Sequence, residues 1–169
     1  MASKCSGVVL DIGCCEGNVE LHLNANYVVG LDIDIPLSNL YDETHEIDFM
    51  EIHNHFINHE FDSIYSREFI EHIHDHNYFF KQCNRLLKYN GILVVSSPTP
   101  MFWKTIIGNT FFPNGKIAIK DHVSVVLPRL FNNLAEKNGF ELIETRVQTK
   151  FKIPFFGYQR MYVYKKIGD

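Results

Sequence analysis

The chain has 169 residues, 46% of them hydrophobic and 14% aromatic, enough apolar material for one packed domain and far from the composition of a disordered segment. Its formal charge is -4 and its isoelectric point about 6.1, with basic runs no longer than pairs such as Lys165-Lys166, so no electrostatic footprint for a nucleic-acid backbone is present. No stretch reaches the roughly 18 to 20 apolar residues of a membrane span, and Met1 to Gly7 lacks the apolar core of a secretory signal, so a soluble, cytoplasmic protein is expected.

The first predicted strand is Val8 to Ile12. Tyr27 to Ile33 (Y-V-V-G-L-D-I) is the second, with a segment of helical length between them. Phe61 to Ser66 reads as a strand, Asp75 to Lys88 as a helix, and Gly91 to Ser97 as a strongly buried strand. In that helix Asp75 is the expected N-cap and Asn90-Gly91 the expected stop, while Tyr78, Phe79, Cys83, Leu86 and Leu87 form an apolar stripe. Pro98-Thr99-Pro100 breaks the pattern, and the aromatic-rich connection Met101 to Gly115 follows. Leu127 to Asn138 reads as a second helix, with Leu130, Phe131 and Leu134 on one face and Gly139 closing it. Phe140 to Val147 and Tyr158 to Tyr164 are the closing strands, joined by a bend carrying Pro154 and Gly157. Continuous apolar strands spaced by helices predict a parallel sheet covered on both faces, and without repeat or linker residues 1–169 form a single domain.

In such sheets ligands bind beyond the carboxyl ends of the strands. There the first strand runs into V-V-L-D-I-G-C-C-E-G-N, Val8 to Asn18. Glycines in that turn allow close approach of a ligand to the backbone and supply positive φ. Gly13-x-Cys15-x-x-Asn18 lacks two of the three glycines of a dinucleotide fingerprint, which disfavours a nicotinamide-dependent oxidoreductase. Asp11-x-Gly13-x-Cys15-x-Gly17 instead keeps the acid and two glycines of a D-x-G-x-G-x-G turn. Asp32 closes the second strand, where a carboxylate takes both hydroxyls of a ribose. The four cysteines, Cys5, Cys14, Cys15 and Cys83, show no C-x-x-C pairing and read as reduced thiols, those of the turn as small side chains filling a tight space.

With these motifs the sequence resembles the class I S-adenosylmethionine-dependent methyltransferases, particularly the small-molecule group called type 11. The resemblance extends through V-V-G-L-D-I-D at Val28 to Asp34, F-D-S-I-Y-S-R-E-F-I-E-H-I-H-D at Phe61 to Asp75, and F-F-K-Q-C-N-R-L-L-K-Y-N-G-I-L-V-V-S-S-P at Phe79 to Pro98. It closes with H-V-S-V-V at His122 and L-A-E-K-N-G-F-E-L-I-E at Leu134 to Glu144. It implies a three-layer, Rossmann-like α/β fold with a mostly parallel seven-stranded sheet, an antiparallel last strand and reduced N-terminal helices. It also implies S-adenosyl-L-methionine as cofactor and methyl transfer to an oxygen, nitrogen or carbon of a small molecule.

Residue by residue, the resemblance implies that Asp11, Gly13 and Gly17 shape the pocket around the methionine part of the cofactor, with Cys14 and Cys15 in the turn. Asp32 would bind the ribose hydroxyls and Ile33 would lie against the adenine. Asp48 and Phe49 look like the segment whose acid reaches the adenine amino group, and Ser66 and Arg67 would line the methionine side. Cys15 departs from the family by replacing its middle glycine, and little chain precedes the first strand, so a lid must come from elsewhere. The aromatic segment 101–115 is one source, as an apolar surface for an apolar substrate, a second copy or a partner chain.

Methyl transfer from a sulfonium needs alignment of the acceptor and exclusion of water. Where the acceptor is a hydroxyl, a histidine is a natural proton acceptor, and His122 and His72 are the candidates. Seven of the nine histidines lie between His45 and His76, which invites a metal reading, yet the Glu71-His72 pair is what the resemblance alone supplies and no metal is expected. A noncatalytic cofactor-binding or partner subunit on the same fold is the competing class, suited by Cys15 and the short front end.

Overall fold

The computed structural model describes residues 2–15, 17, 24–35, 40–98, 127–148 and 159–168. Seven strands, β1 (Gly7–Ile12), β2 (Ala25–Asp32), β3 (Glu43–Glu46), β4 (Phe61–Ser66), β5 (Leu87–Pro98), β6 (Phe140–Gln148) and β7 (Gln159–Lys166), form one sheet in the order β3-β2-β1-β4-β5-β7-β6. β1 to β5 pair in parallel, and β7 runs antiparallel to both β5 and β6. This is the expected mostly parallel sheet with an antiparallel last strand. Among the described residues two α-helices, α1 (His76–Leu86) and α2 (Pro128–Lys137), accompany the sheet, with short 3-10 turns at Ala2–Lys4, Phe49–Asn54 and Ile70–His72. No helix of the described residues is long and apolar enough to cross a membrane.

Successive strand residues face opposite sides, so the continuous apolar runs furnish both faces. Leu10, Val29, Ile64, Leu93 and Tyr164 face a large cluster completed by α1 and α2, while Val9, Val28, Tyr65, Val94 and Val163 form a second cluster with Ala2 and Cys5. The larger cluster is strongly aromatic: Phe80 packs edge-on against Phe79, Phe131 and Tyr164, with ring centroids 5.5, 5.0 and 5.9 Å apart.

α1 starts as its sequence predicts, Asp75 accepting a 2.9 Å hydrogen bond from the Tyr78 N–H. It ends earlier. The helix stops at Leu86, and β5 is under way when Asn90 is reached. The register against β4 jumps from Phe61↔Leu87 to Ser63↔Ile92, so Lys88 to Gly91 are looped out, with Asn90 at φ 65. Asp62 anchors the excursion by accepting from Lys88 Nζ at 2.7 Å and from the Val8 N–H at 2.9 Å. Leu130 departs from the expected stripe of α2: it is exposed, and Phe131 and Ala135 are the residues that the helix buries. The segments 101–115 and 152–158 lie outside the described residues.

Candidate functional site

β1 is flanked by β2 on one side and by β4 on the other, and the chain proceeds outward in opposite directions from these two neighbours. A crevice therefore opens beyond the carboxyl ends of β1, β2 and β4. It holds a cavity of about 680 Å³, within the size range of small-molecule sites.

The turn after β1 is tied to the end of β2. The Gly13 and Cys14 N–H groups both donate to Leu31 O, at 2.9 and 3.1 Å, and the Gly17 N–H donates to Cys14 O at 2.8 Å. Gly13 and Gly17 sit at φ +75 and +98, a left-handed region that favours glycine. Space forbids a side chain as well, since a Cβ on Gly13 would lie 2.7 Å from Phe69 Cδ2 and one on Gly17 2.8 Å from Leu40 Cδ1.

Asp32 braces this turn. One carboxylate oxygen accepts from the Cys15 N–H at 2.9 Å and the other from the Ile33 N–H at 2.7 Å. Each oxygen accepts two hydrogen bonds, so a further lone pair on each remains for a ligand diol. Asp48 caps the Phe49–Asn54 turn by accepting from the Met50 N–H at 2.8 Å. Phe49, only 2% exposed, is wedged edge-on against Phe69 and Tyr78. Asp11 is 3% exposed, and its Oδ2 accepts from the Tyr41 hydroxyl at 2.7 Å. Burial pushes its carboxyl up to about 7, against the pull of the Tyr41 hydrogen bond and the Arg67 charge.

Asp11, Gly13, Cys14, Cys15, Gly17, Asp32, Ile33, Asp48, Phe49 and Arg67 thus line one cavity, and His72 joins them. Ser66 does not: it is buried at 1% exposure outside the lining, and its Oγ has no hydrogen-bond partner among the described residues. Its register partner is Ile12, so it stands on the face of the sheet that α1 and α2 pack against, opposite to Asp11. His122 lies outside the described residues. Tyr65, Glu68, Phe69 and Ile73 line the cavity without having been singled out in the sequence. All four fall within the matched Phe61 to Asp75 stretch, which was the available signal. Tyr41 had none, being a lone aromatic in a polar connection.

The Cys14 thiol is pushed up to about 12, first by burial and then by the Asp11 and Asp32 charges. It is a packing group, held protonated. Cys15 is exposed at φ 45. A left-handed residue with a Cβ costs about 1 to 2 kcal/mol, and glycine returns roughly 0.5 to 1 of that as unfolded-state entropy. Cys15→Gly should therefore raise stability by about 0.5 to 1 kcal/mol, a rise in melting temperature of roughly 1 to 4 °C by calorimetry.

The clustered histidines take separate partners: His53 Nδ1 meets the Tyr78 hydroxyl, His59 Nδ1 the Leu87 carbonyl and His76 Nε2 the Ile70 carbonyl. Among the described residues no group of three or more histidine, cysteine or carboxylate side chains is arranged to hold a metal ion.

Residues 2–145 match the family model of a methyltransferase domain. A solved S-adenosylmethionine-dependent methyltransferase from Archaeoglobus fulgidus superposes with a TM-score of 0.70 at 20% identity, over 95% of this chain and 86% of that one. One from Clostridium acetobutylicum gives 0.72 at 15% identity, over 96% and 85%. A Haloferax volcanii chain complexed with a methyltransferase activator gives 0.68 at 12% identity, over 95% and 83%. No curated protein is a significant match. At such identities the structural likeness speaks to the fold, whereas the family match spans most of the sequence. The chain belongs to this methyltransferase family, of the class I fold, and its cofactor is S-adenosylmethionine. The residues present fit that group: a glycine cradle that a Cβ would fill, and at the end of β2 a carboxylate with acceptor capacity left on both oxygens.

Proposed function

We propose that this chain transfers a methyl group from S-adenosylmethionine to an oxygen, nitrogen or carbon nucleophile of a small molecule, in the cytoplasm. The observation that carries the reading is the single crevice in which the glycine turn, Asp32, Asp48 and Arg67 converge. When bound, the cofactor supplies an electrophilic methyl on a sulfonium. Asp32 holds the ribose diol, Ile33 covers one adenine face, and Asp48 accepts from the adenine amino group with the carboxylate lone pairs its capping bond leaves free. Asp11, Gly13 and Arg67 receive the methionine end. Phe69 and Ile73 exclude water from the reacting centre, and His72, exposed at the rim, takes a proton where the acceptor is a hydroxyl.

Calorimetric titration with S-adenosylmethionine, S-adenosylhomocysteine and NAD tests this. The first two should bind and NAD should not. Asp32→Ala, which removes charged hydrogen bonds to the diol and the brace on the Cys15 N–H, should weaken both by roughly tenfold or more. Binding of NAD in place of the adenosyl ligands, or full affinity in the variant, would refute the assignment.

A further inference from the structure

The loop after β4 holds a carboxylate that the cofactor reading leaves unused. Glu68 sits at φ 55, a backbone conformation that a residue with a side chain adopts only where its surroundings impose it. Here two other strands impose it. The Glu68 N–H donates to Ser96 Oγ of β5 at 3.0 Å, and Gln159 Nε2 of β7 donates both to Glu68 Oε1 at 2.5 Å and to Ser96 Oγ at 2.8 Å. Ser96 and Gln159 are buried, whereas Glu68 is exposed and lines the cavity. Side chains from β5 and β7 thus fix one carboxylate at the β4 side of the crevice. Its second oxygen accepts no hydrogen bond among the described residues.

Such a group is preorganised for a ligand bearing N–H donors and positive charge. The surroundings agree: Asp11, Asp32 and Asp48 also line the cavity, and among the described residues Arg67 is the one lysine or arginine there. Such a lining draws cations and repels anionic acceptors.

We propose that Glu68 receives an amine at the methyl-transfer position, and that the methyl acceptor is accordingly a small amine. This rests on the cofactor reading above. The amine enters as an ammonium and first gives one proton to His72 or to water; Glu68 accepts a remaining N–H and aims the lone pair so freed. The nitrogen forms a bond to the methyl carbon as the carbon–sulfur bond breaks with its electron pair left on sulfur. The product leaves as the methylated ammonium.

Binding of two non-reacting probes decides the matter without knowledge of the acceptor. Sinefungin carries an amino group where the transferred methyl lies, and S-adenosylhomocysteine has nothing there. Wild type should bind sinefungin more tightly. Glu68→Gln, which keeps the shape and the Gln159 contact, should lose roughly tenfold in sinefungin affinity while its affinity for S-adenosylhomocysteine stays within about twofold. Glu68→Gly should do the same, and because glycine adopts this φ freely it guards against a folding failure in the first variant. Equal losses for both probes, or no loss for either, would overturn the inference. If wild type bound S-adenosylhomocysteine not at all, the cofactor reading itself would fail and this inference with it.

Discussion

Replacing Asp11 with asparagine is expected to raise the melting temperature of the ligand-free chain at pH 8, while weakening its affinity for S-adenosylmethionine and removing the pH dependence of that affinity. The carboxyl titrates near 3.8 when unfolded and at about 7 when folded, because burial disfavours its charge. Between those values the native state keeps a proton that the unfolded chain has released, so stability falls as pH rises through this window, and above it the full cost is present. A shift of this size corresponds to a cost on the order of 4 kcal/mol. Asparagine removes it and still accepts the Tyr41 hydroxyl bond. Glu71, also pushed up to about 7 by burial, leaves a second slope of the same sign in both proteins.

The cost makes sense as preparation for a cation. An ammonium arriving beside Asp11 favours the ionised form, so wild-type affinity should climb with pH up to about 7, and Asp11→Asn should give a weaker, flat profile. Thermal melts and titration calorimetry at pH 5, 6, 7 and 8 read both effects. An undiminished pH slope of affinity in the variant would rule out Asp11 as the titrating group.

Gly13→Ala should cost more than any surface change and abolish cofactor binding with it. The alanine would be strained at φ +75 and its Cβ would press on Phe69. That ring cannot retreat freely, since it packs against Phe49 and Phe79 at 5.4 and 6.4 Å between centroids. Left-handed strain and overpacking together amount to about 2 to 4 kcal/mol, a fall in melting temperature on the order of 10 °C. The least costly relaxation swings Phe69 toward the cavity, so the variant should show no titration heat with S-adenosylhomocysteine even where it is fully folded. Wild-type affinity in a folded Gly13→Ala protein would mean that the turn does not contact the ligand.

The parallel strands were legible because each is a continuous apolar run buried on both faces, and the glycine turn because its residue types have few other uses. β3 was not. Its four residues, E-T-H-E, are polar and lie at the sheet edge, so no hydrophobic period marks them and only their pairing with Val29 to Asp32 of β2 makes them a strand. The end of α1 was misread because Asn90-Gly91 is a turn signal in either context; what makes it a bulge is Asp62, 26 residues before Lys88 in the chain. Of the site, the groups contributed by β1, β2 and the loop after β4 could be located from spacing and resemblance. The support given to Glu68 by Gln159 spans 91 residues and leaves no local trace, and Ser66, adjacent to lining residues on both sides, is turned away by strand alternation alone.

The position of β7 between β5 and β6 bears on how the protein is made. As the polypeptide leaves the ribosome, β6 emerges first, and its place in the sheet does not exist until β7 has inserted beside β5. Until then β5 presents an open parallel edge of buried-type residues, an invitation to mispairing with other nascent chains. The carboxyl-terminal third should therefore assemble in one late step, and the nascent chain should depend on chaperones until that step is complete.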